Sequence, residues 1–185
     1  MMQAVVVIGR FNPPTVGHET VFTKAIQIAR KTNSRLVIFV SSSHDSKSNP
    51  IPVEEKITFL KTFFPGMDFR PMTNAYDAIK GLSNEGFDSV ILLTGSDRRD
   101  SYTKMITRGM EKPKDDEQKI NLKDFQIITL TRDPDADDVS GASATKMREA
   151  AVADDWKTFK AMAPNGSDKL KRMLFDAVKR GLNAK

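Results

Sequence analysis

The chain contains no cysteine. Disulfides, thiolate metal sites and a cysteine nucleophile are therefore excluded. Histidine is nearly as scarce: only His18 and His44 occur. With no thiolate and no paired histidines, a permanent zinc site is not expected, and His44 reads as an exposed turn residue. No apolar run approaches the roughly 20 residues that span a bilayer. No basic region followed by a cleavable apolar segment precedes the first strand, so a cytoplasmic protein with no membrane partner is expected. The P-loop G-x-x-x-x-G-K-[ST] and the dinucleotide G-x-G-x-x-G are absent, as are a serine elbow and the kinase signatures. There is no internal repeat.

What is present is enough for a core. At 185 residues and 39% hydrophobic content, one globular domain with a helical appendage is the natural expectation. The net charge of +5 suits an anionic ligand. Basic residues crowd the C-terminal end (Lys169, Lys171, Arg172, Lys179, Arg180, Lys185), which reads as a solvated helix face rather than a nucleic-acid contact.

Short apolar runs alternate with helical patterns. Ala4–Ile8, Leu36–Val40, Phe69–Met72, Ser89–Leu93 and Gln126–Leu130 read as strands. Phe22, Ala25, Ile26 and Ala29 share a helix face, and Thr15 suits its N-cap. Pro52 opens a helix carrying Ile57, Leu60 and Phe64, and Asn74 caps one carrying Ala75, Ala78, Ile79 and Leu82. Strands apolar on both faces, alternating with helices, indicate an α/β fold. The expected architecture is a doubly wound, mostly parallel five-stranded Rossmann-like sheet with C-terminal helices. Residues 1–150 would form the main domain and 151–185 a helical extension. Trp156, Phe159 and Met162 are spaced for helix packing rather than base stacking. Residues 100–124, with the charged run Lys112–Glu117, read as a surface loop, with a lid as the alternative. The acidic stretch Asp133, Asp135, Asp137, Asp138 lacks calcium-loop spacing and reads as a solvated loop.

The informative stretch is Gly9-Arg10-Phe11-Asn12-Pro13-Pro14-Thr15-Val16-Gly17-His18. A buried strand runs into a proline-stiffened loop and then a helix N-terminus, where backbone N–H groups attract phosphate and glycine permits close approach. A first-turn histidine can donate to phosphate oxygens as their charge grows. In a doubly wound sheet, ligands bind at strand C-termini near the reversal of strand order. Thr94-Gly95-Ser96-Asp97, after the fourth strand, would face the same place. A second stretch, Ser143-Ala144-Thr145-Lys146-Met147-Arg148, combines a capping hydroxyl with an arginine one turn on, an arrangement fit for phosphate.

These residues resemble the nucleotidylyltransferase superfamily. Thr15-Val16-Gly17-His18 is similar to its [H/T]-x-G-H signature, and Gly9–Pro14 to its G-x-F-x-P lead-in. Ser143–Arg148 is similar to its I-S-S-T-x-x-R signature, with Ala142 and Ala144 as departures. Ser41-Ser42-Ser43, followed by Asn49-Pro50 and Glu55-Lys56, is similar to archaeal-type nicotinamide-mononucleotide adenylyltransferases. As local structure alone, such a turn is an equally common helix lead-in.

The resemblance implies transfer of a nucleotidyl group from a triphosphate to a phosphate-bearing acceptor, with pyrophosphate released. It places His18 on the α/β-phosphates, Thr15 on an adjacent phosphate oxygen, and Arg148 with Thr145 on the β/γ-phosphates. Gly9, Arg10, Phe11 and Gly17 would line the nucleotide, Gly95 and Asp97 its base or ribose, and Ser143 a phosphate oxygen. One of Arg98 and Arg99 would reach phosphate. Ser41, Ser42, Ser43 and Asn49 would take the acceptor. Mg2+ would accompany ATP, held mostly by substrate and water.

Nicotinamide mononucleotide is the favoured acceptor. Cytidylyl transfer to a phospho-alcohol and adenylyl transfer to phosphopantetheine are the alternatives within the class. Outside it stand an aminoacyl-tRNA synthetase relative and a non-catalytic nucleotide- or RNA-binding module. Oligomeric state is left open, a homo-oligomer included.

Overall fold

The computed structural model describes residues 2–130 and 143–183. Five strands, β1 (Gln3–Gly9), β2 (Arg35–Ser41), β3 (Asp68–Met72), β4 (Ser89–Gly95) and β5 (Asp124–Leu130), form one sheet in the order β3-β2-β1-β4-β5. Every pairing is parallel. The chain winds outward from β1 to β3, returns beside β1 as β4, and winds outward again. The reversal therefore lies between β1 and β4, where the C-terminal ends of the strands open a crevice.

Parallel strands need crossovers, and helices supply them. α1 (Val16–Lys31) and α2 (Val53–Phe63) lie on one face, where Val5, Val7, Ile38, Val40, Ile91 and Leu93 pack against Phe22, Ala25 and Leu60. α3 (Ala75–Asn84) and α4 (Arg99–Glu111) lie on the other, where Ala4, Val6, Val37, Val90 and Leu92 meet Ile79, Leu82 and Ile106. Alternate residues of each central strand thus feed opposite cores. Each fully buried Val, Leu, Ile or Phe contributes about 1.5–3 kcal/mol. No helix among the described residues is long and apolar enough to cross a membrane.

One expectation fails at residues 100–124. The segment opens as the helix α4, preceded by a 3-10 turn over Ser96–Arg98. Tyr102, Ile106 and Gly109 are its buried stripe, and Ile120 and Leu122 beyond it are buried as well. The cause is topological: β4 and β5 are parallel neighbours, so the connection has to cover the sheet face.

The C-terminal helices α5 (Ala144–Val152), α6 (Trp156–Met162) and α7 (Asp168–Leu182) share a third core with Ile51 and with Phe59 and Phe63 of α2. Trp156, Phe159 and Met162 do pack: the rings of Trp156 and Phe159 stand 5.5 and 5.0 Å from that of Phe175. The acidic stretch Asp133–Asp138 lies outside the described residues.

Candidate active site

β1 ends at Gly9, and the next residues reverse tightly. Phe11 takes φ 50, in the left-handed region, which turns its ring back over the strand end. A Cβ on Gly9 would stand 2.7 Å from that ring, so glycine is the residue the approach requires. Phe11 meets the His18 ring edge-on at 4.7 Å, Phe22 lies 6.4 Å from His18, and the two phenyl rings stand 5.5 Å apart. His18 is therefore packed against a pair of neighbouring aromatic rings before any hydrogen bond is counted.

The helix start then fixes its protonation pattern. Thr15 is the N-cap of α1, its Oγ1 accepting from the Gly17 N–H at 3.1 Å. In return, the Thr15 N–H donates to His18 Nδ1 at 2.9 Å. This is a capping box with histidine where glutamate or glutamine usually stands. An Nδ1 that accepts a hydrogen bond carries no proton of its own, so the ring proton is on Nε2.

His18 lines a cavity of about 410 Å3 at the C-terminal ends of β1 and β4. Gly9, Arg10, Phe11, Ser41 and Gly95 share the wall. Arg98, at the end of the 3-10 turn, lines it and Arg99, which opens α4, does not. Thr94 also lines it, and Met72, Ala75 and Tyr102 close the side beneath α3 and α4. Those three escape a motif search, although the 102, 106, 109 spacing on α4 is legible as a helix stripe.

Other expected residues stand outside the wall. Thr15 is fully buried, its hydroxyl serving the helix cap rather than facing the cavity. The Gly17 N–H is taken by that same hydroxyl. Asp97 is exposed within the 3-10 turn. Ser143 is buried as the N-cap of α5, its Oγ accepting from the Lys146 N–H at 2.9 Å. Arg148 donates through one guanidinium nitrogen to the Asn12 carbonyl at 2.9 Å and through the other to Thr145 Oγ1 at 3.2 Å. The second motif is thus tied to the first through Asn12, with neither Thr145 nor Arg148 in the described cavity wall.

In the 41–52 segment only Ser41 reaches the wall. The Ser42 N–H continues the sheet by donating to the Met72 carbonyl, and Ser43 bonds the Ser41 hydroxyl. The Asp45 carboxylate gathers the N–H groups of Lys47, Ser48 and Asn49 and the Asn49 side-chain amide. These bonds, the Asn49 side chain foremost, hold the Asp45 carboxyl well below the usual carboxylate range. Asn49 belongs to this turn, although its Oδ1 is buried with no hydrogen-bond partner. His44 is exposed, as expected. Lys56 on α2 is fully buried and donates to the Ser41 carbonyl at 2.8 Å.

Solved structures share this architecture. The bifunctional NMN adenylyltransferase/ADP ribose pyrophosphatase of Francisella tularensis, solved with AMP and a Mn ion, is 16% identical with a TM-score of 0.59. The match covers 98% of this chain and 52% of that one, so this chain spans about half its length. The nicotinic acid mononucleotide adenylyltransferase of Plasmodium falciparum, solved with NaAD, is 13% identical with a TM-score of 0.54, over 96% and 95% of the two chains. Thermotoga maritima TmcAL is 14% identical with a TM-score of 0.55, over 99% of this chain and 57% of that one. At such identities the likeness is one of fold. No protein of curated function matches the chain by sequence. Residues 6–150, which take in the Gly9–His18 loop, most of the sheet and Arg148, match one family model: the chain belongs to the cytidylyltransferase-like family.

Proposed function

We propose that this protein transfers the adenylyl group of ATP to nicotinamide mononucleotide, forming NAD and releasing pyrophosphate. The observation that carries the proposal is the His18 ring, its proton directed to Nε2 by the Thr15 N–H, in the wall of a cavity that also presents Arg10 and Arg98. An acceptor phosphate oxygen would attack the α-phosphorus of ATP while the bond to the β-phosphate oxygen breaks and pyrophosphate departs with its electron pair. No covalent enzyme intermediate is needed. Catalysis then consists of alignment and of donors placed where negative charge grows.

In this scheme His18 donates to the α/β-phosphate oxygens, and Arg10 and Arg98 supply positive potential along the wall. Gly9 and Gly95, at the two strand ends, allow the nucleotide close to the backbone. Arg148 and Thr145 take the outgoing phosphates at the rim. Thr15 acts through His18, as a positioning residue. Ser41 would contact the acceptor from the wall, and residues 42–52 would meet it beyond the wall, at the rim. The neutral Ser41 hydroxyl at the wall favours a carboxamide, which has N–H groups to donate, over a carboxylate, which has none.

Among the described residues, no three His, Asp, Glu or Cys side chains converge, and no carboxylate lines the cavity. A divalent ion here would be held by triphosphate oxygens and water, as suits Mg2+. It would neutralise charge on the phosphates. The testing experiment is pyrophosphate release, screened over ATP and CTP with nicotinamide mononucleotide, its nicotinate analogue, a phospho-alcohol and phosphopantetheine. Release with ATP and nicotinamide mononucleotide supports the proposal. Release only with CTP and a phospho-alcohol replaces the substrate assignment and keeps the reaction class.

A further inference from the structure

Asn12 was part of the lead-in motif with no role of its own, yet three segments meet on it. Its backbone carbonyl accepts from Arg148. Its side chain, 1% exposed, exchanges a pair of hydrogen bonds with the backbone of Ile51: Nδ2 donates to the Ile51 carbonyl at 3.0 Å, and Oδ1 accepts from the Ile51 N–H at 2.9 Å. The side chain thereby acts as a one-residue strand partner for a segment 39 positions away. Only an amide can do this, since the site needs one donor and one acceptor on a planar group.

The far side of the same segment is braced as closely. Gly181, near the end of α7, lies so close to Pro50 that a Cβ there would stand 2.0 Å from the Pro50 carbonyl oxygen. Arg180 pairs with Glu55 on the following helix at 2.5 Å, and Ile51 is buried in the core that α7 shares. Pro50-Ile51 is therefore gripped between the phosphate loop on one side and the C-terminal helix on the other.

We infer that Asn12 is a positioning residue for the acceptor side of the site, setting segment 45–52 against the phosphate loop, with α7 as its backstop through Gly181. The inference rests on the assignment of segment 41–52 to the acceptor. It makes a selective claim. Asn12→Ala removes both bonds to Ile51 but leaves the Asn12 carbonyl, and so the Arg148 tie, in place. Gly181→Ala pushes on Pro50 from the opposite side without touching the phosphate loop.

The test is steady-state kinetics of wild type, Asn12→Ala and Gly181→Ala with ATP and nicotinamide mononucleotide, together with thermal unfolding of each protein. A displaced acceptor segment raises the acceptor KM by about tenfold or more in both variants, with the ATP KM within about twofold of wild type. A purely structural role would lower kcat with the folded fraction and leave both KM values alone; that result overturns the proposal. An equal rise in both KM values overturns it as well. Should Asn12→Ala fail to fold, Gly181→Ala decides by the same criterion. A wild-type protein inactive with this acceptor removes the assignment beneath the proposal, whereas an active wild type with unchanged acceptor KM in the variants removes the Asn12 role alone.

Discussion

The Thr15 N–H and His18 Nδ1 are joined at 2.9 Å across the first turn of α1. One hydrogen bond thus closes a helix cap and chooses the tautomer of the residue best placed for phosphate chemistry. The short bond uses the Thr15 backbone, while the Thr15 hydroxyl lies 3.5 Å from the same nitrogen, so the side chain can change and leave the main tie to His18 in place. Thr15→Ala should cost about 1 kcal/mol of stability through the lost cap. Its kcat should stay within about tenfold of wild type, below the loss that follows removal of a transition-state donor. Chemical denaturation and turnover check this; a kcat loss of a hundredfold or more in a folded variant would return Thr15 to direct phosphate contact.

His18→Ala should lower kcat by about two to three orders of magnitude, the value of one positioned donor in the transition state. The cap hydroxyl of Thr15 is untouched, so the fold should persist by circular dichroism. Turnover within about threefold of wild type would remove His18 from the mechanism.

Arg148→Ala should raise the ATP KM by about 10- to 100-fold, from loss of a charge-assisted hydrogen bond worth about 1.5–3 kcal/mol. Arg148 already bonds Asn12 and Thr145, so its guanidinium is oriented in advance of nucleotide. Initial rates over a range of ATP concentrations decide the matter. An unchanged KM and kcat would leave the Ser143–Arg148 segment as an ordinary capped helix.

Much of this arrangement is written locally. The strands, the Thr15 and Ser143 caps and the Gly9–His18 loop each depend on residues within a few positions of one another, so periodicity and motif expose them. α4 was equally local, with Tyr102, Ile106 and Gly109 on one stripe, but the charged run Lys112–Glu117 behind it drew the whole segment toward a loop assignment. The Asn12–Ile51 pair and the Gly181–Pro50 contact belong to another kind. They join residues far apart in the chain, and no local pattern announces them. Asn49 is a local case of another sort: the Asp45 carboxylate four residues before it takes its backbone and side-chain N–H groups, which a serine-rich turn read as a motif does not announce.

Gly109 offers a test of how firmly α4 is seated. The position lies in the last turn of α4, and alanine within a helix gains at most about 1 kcal/mol over glycine. Its Cβ would, however, stand 2.5 Å from Ile120 Cδ1 and 2.9 Å from the Tyr76 hydroxyl, and overpacking costs about 1–3 kcal/mol. The steric cost should win, lowering Tm by about 2–6 °C in a chain of this size. A raised Tm would mean that the residues around Ile120 yield freely.

The Asp45 turn should resist acid. A carboxylate whose pKa is depressed on folding contributes stability that is present above its unfolded value and is lost as pH falls through the folded one. The folded value here lies below the usual carboxylate range. The Lys47, Ser48 and Asn49 amides should therefore keep their relative exchange protection from neutral pH down to about pH 4, where free aspartate is already titrating. Asp45→Ala, which removes the accepting oxygen, should lose that protection at neutral pH. Equal protection in both proteins would show that the carboxylate does not organise the turn.

The most direct measurement follows the phosphates themselves. Wild-type protein is given Mg2+, nicotinamide mononucleotide and ATP labelled either at the α- or at the γ-phosphorus. Adenylyl transfer sends the α-label into the dinucleotide and the γ-label into pyrophosphate, in equal amounts, and both transfers fall together in His18→Ala. Label appearing as orthophosphate with no dinucleotide formed, or no transfer of either label, would contradict the account.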